Sequence, residues 1–252
     1  MSEHVRERTA ERLYLDLLKK VLTRIVFPDG SLTGKGEFDR GAREIGMDWP
    51  RAAETMVGLK RLDNLEFCVT DVVRRGVPGD LIETGVWRGG AVIFMRAVLE
   101  AYEDTDRTVW VADSFQGLPK PDPSRISDVQ DALWKHSELA VSLEEVRGNF
   151  ERYGLLDEQV RFLPGWFEDT LPAAPIERLA VLRLDGDMYD STMVALDALY
   201  PKVSVGGYVI VDDYGAVAGC REAVDEFRMR HGIEEPLEQV DWTCMFWRRE
   251  TA

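Results

Sequence analysis

The sequence is poor in the residues that bind zinc or form disulfides, with three cysteines and three histidines. Cys68, Cys220 and Cys244 lie far apart and form no Cys-x-x-Cys pair. Neither a disulfide framework nor a zinc site is indicated by this odd number and wide spacing. We therefore predict three buried, unpaired thiols.

Long apolar runs and an excess of positive charge are also missing. The first 27 residues, MSEHVRERTAERLYLDLLKKVLTRIVF, begin with charges and then place apolar residues at helical spacing, unlike a signal peptide or a membrane span. Forty-six acidic against 31 basic side chains give a net charge of −15, which disfavours nucleic acid and anionic membranes as partners. We expect a cytoplasmic protein.

The amino-terminal 76 residues are predicted to be helical and to contain no strand. Apolar residues between Leu13 and Ile25 indicate a first helix with one apolar face. Residues 50–79 indicate a second helix, with Pro50 in its first turn and its end near Gly76. A helical extension therefore precedes the rest of the chain.

Residues 77–252 alternate short apolar runs with helical stretches. The runs show little polar alternation, which is typical of strands buried on both faces. They are DLIET (80–84), TVWVAD (108–113), VRFLPG (160–165), LAVLRLD (179–185) and GGYVIVDD (206–213). The tail LEQVDWTCMFWRRE indicates one or two further strands in an antiparallel hairpin. This pattern predicts an α/β fold, a mostly parallel sheet with helices on both faces.

The segment ETGVWRGGA follows the first predicted strand and opens a helix. Gly85, Gly89 and Gly90 let the backbone approach a ligand, and amide groups at the helix start favour a small anionic group. The spacing is not Gly-x-Gly-x-x-Gly, so a cofactor without a pyrophosphate is favoured. Asp113 ends the second predicted strand, where an acid can accept hydrogen bonds from a ribose diol. These features indicate a nucleoside site.

An aromatic pair follows the third predicted strand in PGWFEDT. Trp166, beside Gly165, is suited to flank an adenine ring. Trp166 and Phe167 are equally well explained as ordinary core aromatics, and the sequence leaves both interpretations open.

Four aspartates end the fourth and fifth predicted strands. Asp185 and Asp187 lie in LRLDGDMYDST, and Asp212 and Asp213 lie in GGYVIVDDY. If the extended backbone continues, Asp185 and Asp187 point to the same side because they are two residues apart. Carboxylates without histidine or cysteine favour Mg²⁺, Mn²⁺ or Ca²⁺. Turn or capping chemistry would explain any single aspartate, but a charged site explains the group better.

Residues 120–141 form a long insertion after the second predicted strand, with several prolines and Trp134. Long segments at the carboxyl end of a strand are often lids over a site, and a solvated surface excursion is the alternative. Whether His136 in this insertion or Met56 in the second predicted helix contacts a substrate stays open.

These motifs, in this order, resemble the macrocin O-methyltransferase (TylF) family. The resemblance extends from about Leu13 to Arg248 and is carried by AETMVGLKRLDNL, LIETGVWRGGA, VWVADSFQGLP, VRFLPGWFEDTLP, LAVLRLDGDMYDST and GGYVIVDDYGAVAGCREAVDEFR. It implies a class I methyltransferase (Rossmann-like) core over residues 77–252. It also implies that residues 1–76 act as a lid and as an oligomer contact, in a dimer or tetramer.

The resemblance further implies an activity and residue roles. Family members use S-adenosylmethionine and magnesium to methylate sugar hydroxyls, so a deoxysugar of a glycosylated natural product such as a macrolide is the expected acceptor. The implied cofactor-binding residues are Glu83, Thr84, Gly85, Asp113, Ser114, Gly165, Trp166 and Asp185. Asp185, Asp212 and Asp213 would hold the metal, and Asp187 would be the catalytic base.

Three other activities are considered. A metal-dependent O-methyltransferase acting on a phenolic or catechol hydroxyl would share the sheet, the cofactor and the cation. A dinucleotide oxidoreductase lacks its glycine spacing here. A non-catalytic nucleoside-binding module is disfavoured by the intact Asp187.

Overall fold

The computed structural model describes residues 9–33, 36–129 and 132–251. Residues 1–8 of the predicted amino-terminal segment and residues 130–131 of the insertion lie outside the described residues. The helices are α1 (Ala10–Leu22), α2 (Arg40–Glu44), α3 (Leu59–Arg74), α4 (Gly90–Ala101), α5 (Ile126–Val129), α6 (Leu143–Arg152), α7 (Phe167–Thr170), α8 (Tyr189–Leu199) and α9 (Ala218–His231). The strands are β1 (Asp80–Thr84), β2 (Val109–Asp113), β3 (Val160–Pro164), β4 (Leu179–Leu184), β5 (Val203–Val211), β6 (Glu238–Gln239) and β7 (Met245–Arg248).

The described strands form one sheet in the order β3-β2-β1-β4-β5-β7-β6. Strands β1 to β5 pair in parallel, whereas β7 pairs antiparallel with both β5 and β6. The strand order reverses between β1 and β4, and at such a point the carboxyl ends of the strands leave a crevice. The predicted mostly parallel α/β fold and its antiparallel hairpin are confirmed.

The sheet is buried because its central strands are largely apolar and helices cover both faces. Every residue of β4 is buried. One apolar cluster joins the sheet to side chains of α1, α3, α4 and α6, and a second joins it to α8 and α9. The strand that follows α8 begins at Val203, three residues before the run predicted for it. The three cysteines are buried and unpaired, as predicted.

The amino-terminal extension is less helical than predicted. Helix α3 begins at Leu59 and not at Pro50, and an isolated antiparallel bridge joins Ser31 to Pro50. Residues 50–58 do not form a helix because their backbone groups bond elsewhere: the Glu54 N–H donates to the Leu22 carbonyl (3.2 Å), and the Gly90 N–H donates to the Glu54 carbonyl (2.8 Å). Met56 therefore lies in an irregular segment, so its predicted place in a helix was wrong.

Helix α1 uses only part of its predicted apolar face. Leu15, Leu18 and Leu22 are buried in the cluster shared with α4, whereas Leu13 and Leu17 are 44% and 55% exposed. Across the described ranges, no helix combines the length and the apolar content needed to cross a bilayer. The extension is thus held to the sheet by one side of α1, by α3 and by the segment 50–58.

Candidate active site

The predicted metal ligands meet at the carboxyl ends of β4 and β5. These strands are parallel neighbours, so the residues that follow them emerge at the same edge of the sheet. One ligand oxygen each from Asp185, Asp212 and Asp213 lies within 4.8 Å of the others. The structure therefore brings these three carboxylates together, as the sequence predicted.

The end of β1 is closely packed against this acidic corner. Gly85 has φ +85°, and a Cβ atom there would overlap the carbonyl oxygen of Asp185. The Asp185 N–H donates to the Thr84 carbonyl at 2.9 Å. Glycine is therefore required at this position by both backbone conformation and space.

The turn after β4 does not continue the strand. Asp187 has a positive φ of 57°, so the premise that an extended backbone persists from Asp185 to Asp187 was wrong. The two side chains nevertheless line the same cavities, because the turn folds back over the strand ends. The Asp187 N–H donates to Asp213 Oδ2 at 3.3 Å. This bond links the loop after β4 (residues 185–188) to the loop after β5 (residues 212–217), here called the two acidic loops.

A buried arginine, which the sequence analysis did not single out, lies between the acids. Arg183 in β4 is ion-paired with Glu83, with Asp212 and, at 2.6 Å, with Asp185. An arginine inside an apolar strand is rarely buried without anionic partners. The letters LRL in the fourth predicted strand were therefore a signal that could have identified it.

A second arginine approaches the same corner from the amino-terminal extension. Arg61 in α3 is ion-paired with Asp212 and, at 3.0 Å, with Asp241, and its Nη2 donates to the Gly46 carbonyl at 3.1 Å. Arg61 and Asp212 are 151 residues apart in the chain. No local sequence pattern indicates such a contact, so only the fold discloses it.

The acidic corner carries more negative charge than the two arginines neutralise. Burial raises the pKa of Glu83 to about 8, although Arg183 acts in the opposite direction. Burial, followed by repulsion from the neighbouring carboxylates Asp187, Asp185 and Asp212, holds the pKa of Asp213 well above its ordinary value. A bound cation would relieve this repulsion.

Two adjoining cavities open at the strand ends. The first, here the Asp113 cavity, is lined by residues of both acidic and apolar character: Met56, Gly85, Trp87, Asp113, Ser114, Gly117, Leu118, Pro119, Leu139, Trp166, Phe167, Glu168, Asp185, Gly186, Asp187 and Ser191. The second, here the Arg61 cavity, has a volume of about 380 Å³. Met56, Trp87, Leu139, Asp185 and Asp187 line both. Two of the acids therefore lie at the boundary between the cavities.

Asp113 is held in a fixed orientation at the end of β2. Its carboxylate accepts the N–H groups of Val86 and Phe115, each at 2.7 Å. Burial raises the pKa of Asp113, and these hydrogen bonds oppose that effect. The neighbouring Ser114 hydroxyl donates to the Gly117 carbonyl at 2.7 Å, which shapes the wall of the Asp113 cavity.

The other predicted cofactor residues do not all line the Asp113 cavity. The Gly165 N–H donates to the Asp113 carbonyl at 2.9 Å, which places Trp166 in the wall of the Asp113 cavity. Thr84 is buried, and its hydroxyl donates to the Arg183 carbonyl at 3.5 Å within the sheet. Glu83 lines the Arg61 cavity. The structure thus groups Asp113, Ser114 and Trp166, and places Thr84 inside the sheet.

The N–H groups of Gly89 and Gly90 at the start of α4 already have backbone acceptors. The Gly89 N–H donates to the Val86 carbonyl at 2.7 Å, and the Gly90 N–H donates to the Glu54 carbonyl at 2.8 Å. Glu54 of the segment 50–58 therefore contacts this helix start. The small anionic group expected at this helix start stays a prediction.

The Arg61 cavity combines carboxylates with large aromatic walls. Trp49, Trp87 and Trp242 line it, and the insertion contributes Leu133 and Leu139. The ring of His136 contacts the Trp49 ring edge to face, with 5.0 Å between centroids. Apolar walls with a few convergent polar groups are typical of a small-molecule site.

Comparison with known proteins relates the chain to one family. The model of the macrocin-O-methyltransferase (TylF) family matches residues 29–249. Residues matched by this model include all of β1 to β7 and both acidic loops.

Two similar proteins are O-methyltransferases from other bacteria. The 8-demethyl-8-(2,3-dimethoxy-alpha-L-rhamnosyl)-tetracenomycin-C 4'-O-methyltransferase of Streptomyces olivaceus is 58% identical over 96% of this chain and 95% of its own length. The mycinamicin III 3''-O-methyltransferase of Micromonospora griseorubida is 53% identical over 96% of this chain and 98% of its own length.

Solved structures share this fold. The O-methyltransferase NovP superposes with a TM-score of 0.92 at 54% identity, over 96% of this chain and 100% of its own. The calicheamicin methyltransferase CalS11 superposes with a TM-score of 0.61 at 18% identity, over 98% of this chain and 97% of its own, which is a likeness of fold alone.

Proposed function

The chain belongs to the macrocin O-methyltransferase (TylF) family and is an O-methyltransferase; from this premise we propose that it methylates a sugar hydroxyl of a glycosylated natural product, using S-adenosylmethionine and Mg²⁺. The observation that carries the proposal is the shared boundary of the two cavities, at which Asp185 and Asp187 line both. A methyl donor in one cavity and an acceptor in the other would meet at these carboxylates. Binding both reactants in adjoining sites supplies proximity and orientation.

The Asp113 cavity is the proposed cofactor site. S-adenosylmethionine supplies a methyl group on a cationic sulfur, already activated for transfer. Asp113, oriented by two backbone N–H groups, retains lone pairs that can accept hydrogen bonds from a ribose diol. Trp166 can flank an adenine ring from the same wall. Gly85 and Asp185 lie toward the acidic corner and would adjoin the methionine part of the cofactor.

The acidic corner fits a divalent cation. Asp185, Asp212 and Asp213 offer carboxylate oxygens in mutual reach, and an oxygen-only donor set suits Mg²⁺. Burial, and then repulsion from neighbouring carboxylates, raises the pKa of Asp213, and such a cation would offset the repulsion. A cation bound there lowers the pKa of a nearby hydroxyl and fixes its direction. Arg61 and Arg183 orient Asp212 for this role from opposite sides.

Asp187 is the proposed general base. It lies at the boundary of the cavities, and its turn is linked to the Asp213 loop by a hydrogen bond from its own N–H. From that position its carboxylate can take the proton of an acceptor hydroxyl, which makes the oxygen a nucleophile. A positioned base of this kind contributes about 10² to 10⁴ in rate.

The Arg61 cavity is the proposed acceptor site. The relatives from S. olivaceus and M. griseorubida are named for methylation of sugar positions on tetracenomycin and mycinamicin. Aromatic and aliphatic walls suit the apolar faces of a deoxysugar, while the carboxylates can bind its free hydroxyls. We further propose that the amino-terminal extension and the insertion 120–141 act as lids, and that the cytoplasmic enzyme is a homo-oligomer.

A panel of acceptors tests the proposal. Purified protein is incubated with S-adenosylmethionine, Mg²⁺ and each of four compounds: a deoxysugar glycoside, the same glycoside with its sugar hydroxyls blocked, the aglycone alone, and a catechol. Fragment mass spectrometry should place one added methyl group on the sugar of the unblocked glycoside. Chelation of the metal should abolish the product. Methylation of the catechol alone would favour the phenolic alternative, and turnover of no glycoside would contradict the proposal.

A further inference from the structure

In the short helix α5 of the insertion, an apolar side chain is exposed and a charged side chain is buried. Ile126 is 85% exposed, whereas Asp128 is only 1% exposed. Burying a carboxylate costs free energy unless hydrogen bonds or charges compensate it. The orientation of α5 is therefore governed by what Asp128 contacts and not by burial of its apolar residue.

Asp128 contacts the first turn of α8. Its two carboxylate oxygens accept the Tyr189 N–H at 3.1 and 3.3 Å. The residue at the cap position of α8, Met188, makes no side-chain capping bond. A carboxylate at a helix start satisfies an unpaired N–H and interacts favourably with the helix dipole. Asp128 thus supplies, from the insertion, the cap that the local sequence lacks.

The same carboxylate lies against the start of α9. A Cβ atom at Gly219, the second residue of α9, would overlap Asp128 Oδ1. The cap residue of α9, Val217, also makes no side-chain capping bond. Only a residue without a side chain leaves room for Asp128 between the two helix starts. The two helices touched by Asp128 are those that directly follow the two acidic loops.

Tyr189 and Arg125 reinforce this contact. The Arg125 guanidinium lies over the Tyr189 ring, 3.7 Å from its centroid, and the Tyr189 hydroxyl donates to Glu226 of α9 at 2.6 Å. Tyr189 is buried and follows Asp187 by two residues. A displacement of α5 would therefore be transmitted to the turn that carries Asp187.

Other described residues of the insertion line both cavities. Leu139 lines the Asp113 cavity, and Leu133 and Leu139 line the Arg61 cavity. The Glu138 carbonyl accepts the Trp87 indole N–H at 2.9 Å. Asp128 is thus a buried polar attachment in the insertion that also supplies these cavity-lining leucines.

We propose that Asp128 is a positioning residue: it fastens the insertion to the starts of α8 and α9, and so couples closure over the acceptor to the arrangement of the two acidic loops. The kinetic consequence rests on the proposed methyl transfer, whereas the structural consequence does not. Loss of the contact should loosen the insertion and weaken Mg²⁺ binding, while leaving the Asp113 side of the cofactor site intact.

The test compares Asp128→Asn and Asp128→Ala with a matched control, Asp122→Asn. Asp122 is an exposed acid of the same insertion, and its carboxylate accepts a local hydrogen bond from the Ser124 N–H (2.8 Å). Asparagine removes the charge of Asp128 but keeps its size, so Asp128→Asn remains informative if Asp128→Ala does not fold.

Limited trypsin digestion of the native protein measures closure without any turnover. Cleavage after Arg125 and Lys135 should be about 5- to 30-fold faster in Asp128→Asn than in wild type, because local opening is more frequent. Cleavage of Asp122→Asn should equal that of wild type. Cleavage at sites outside the insertion should not change in either variant.

Calorimetric titration and kinetics measure the coupling. With S-adenosylmethionine bound, Mg²⁺ affinity should fall about 5-fold or more in Asp128→Asn, and KM for the glycoside should rise, while the affinity for S-adenosylmethionine stays unchanged. Wild-type cleavage and wild-type Mg²⁺ affinity would overturn the proposal. So would a uniform loss of stability without selective cleavage in the insertion. Failure of methyl transfer alone, with these two results intact, would contradict the proposed function and not the role of Asp128.

Discussion

Individual side chains decide how several carboxylates can share one corner of the sheet. Arg183 is buried at the centre of the corner and Arg61 reaches it from α3, so that Asp212 has a guanidinium on each carboxylate oxygen. Such pairing offsets part of the cost of burying the acids. It also separates the roles of the aspartates, since Asp212 is held firmly whereas Asp187 lies where the two cavities meet.

The role of Asp187 is tested by Asp187→Asn. Asparagine keeps the size but cannot take a proton, so turnover should fall by about 10² to 10⁴ while Mg²⁺ and S-adenosylmethionine still bind. Raising Mg²⁺ should not restore the rate. Steady-state kinetics and calorimetry provide the measurements, and Asp190→Asn, an exposed neighbour, is the control. Near-normal turnover would exclude Asp187 as the base, and rescue by metal would make it a ligand.

The role of Asp113 is tested by Asp113→Ala. Loss of hydrogen bonds to a charged group should weaken S-adenosylmethionine binding by about 1 to 3 kcal/mol. The Val86 and Phe115 N–H groups also lose their acceptor, so the free energy of unfolding should be measured beside the calorimetric affinity. Asp113→Asn, which keeps one acceptor oxygen, should be milder in both respects. An unchanged cofactor affinity would remove Asp113 from the ribose.

At the scale of elements, the amino-terminal extension forms one predicted helix and lacks part of the other. Helix α1 forms where its apolar spacing predicts it, between a capping Thr9 and the basic residues of its last turn. The segment 50–58, by contrast, is not helical because Glu54 bonds to both Leu22 and Gly90. Tertiary hydrogen bonds there replace those that a helix would have made.

The two sides of α1 can be distinguished by paired substitutions. Leu15→Ala removes a fully buried side chain and should lower the free energy of unfolding by about 2 to 5 kcal/mol. Leu17→Ala, on the exposed side of the same helix, should change it by no more than about 0.5 kcal/mol. Urea denaturation provides the measurement. Equal losses of unfolding free energy in the two variants would mean that the exposed side of α1 is buried in solution.

At the scale of the whole molecule, ligand binding and stability are linked through the strand ends. The proposed cofactor and metal sites lie on loops of β1, β2, β4 and β5 together, so ligands that bind only the folded chain should stabilise all of it. At about 100 times its dissociation constant, each ligand adds about 2.7 kcal/mol.

Thermal unfolding tests this linkage. The melting temperature should rise with S-adenosylmethionine and rise again with Mg²⁺, and a chelator should reverse only the second increase. In Asp185→Asn the Mg²⁺ increment should shrink, because one charged ligand is lost. An increment for Mg²⁺ that is identical in Asp185→Asn and wild type would argue against a metal at this corner.

The sequence alone was sufficient to predict the core fold and the location of the acids. Runs with little polar alternation, such as LAVLRL, can be strands only if both faces are buried, and that requirement implies a parallel sheet with helices on each side. Residues that follow such strands must then emerge at one edge. Asp113, Asp185 and Asp212 could therefore be assigned to the site from their positions in the chain.

Only the tertiary structure decided how that edge is completed. The pairing of Arg61 with Asp212 and the attachment of Asp128 to Tyr189 join residues 151 and 61 positions apart. The positive φ of Asp187 and the non-helical segment 50–58 likewise depend on packing against other elements. Periodicity and capping signals report on neighbours within a few residues, whereas these contacts exist only because folding brings distant backbone and charged groups together and requires each buried one to find a partner.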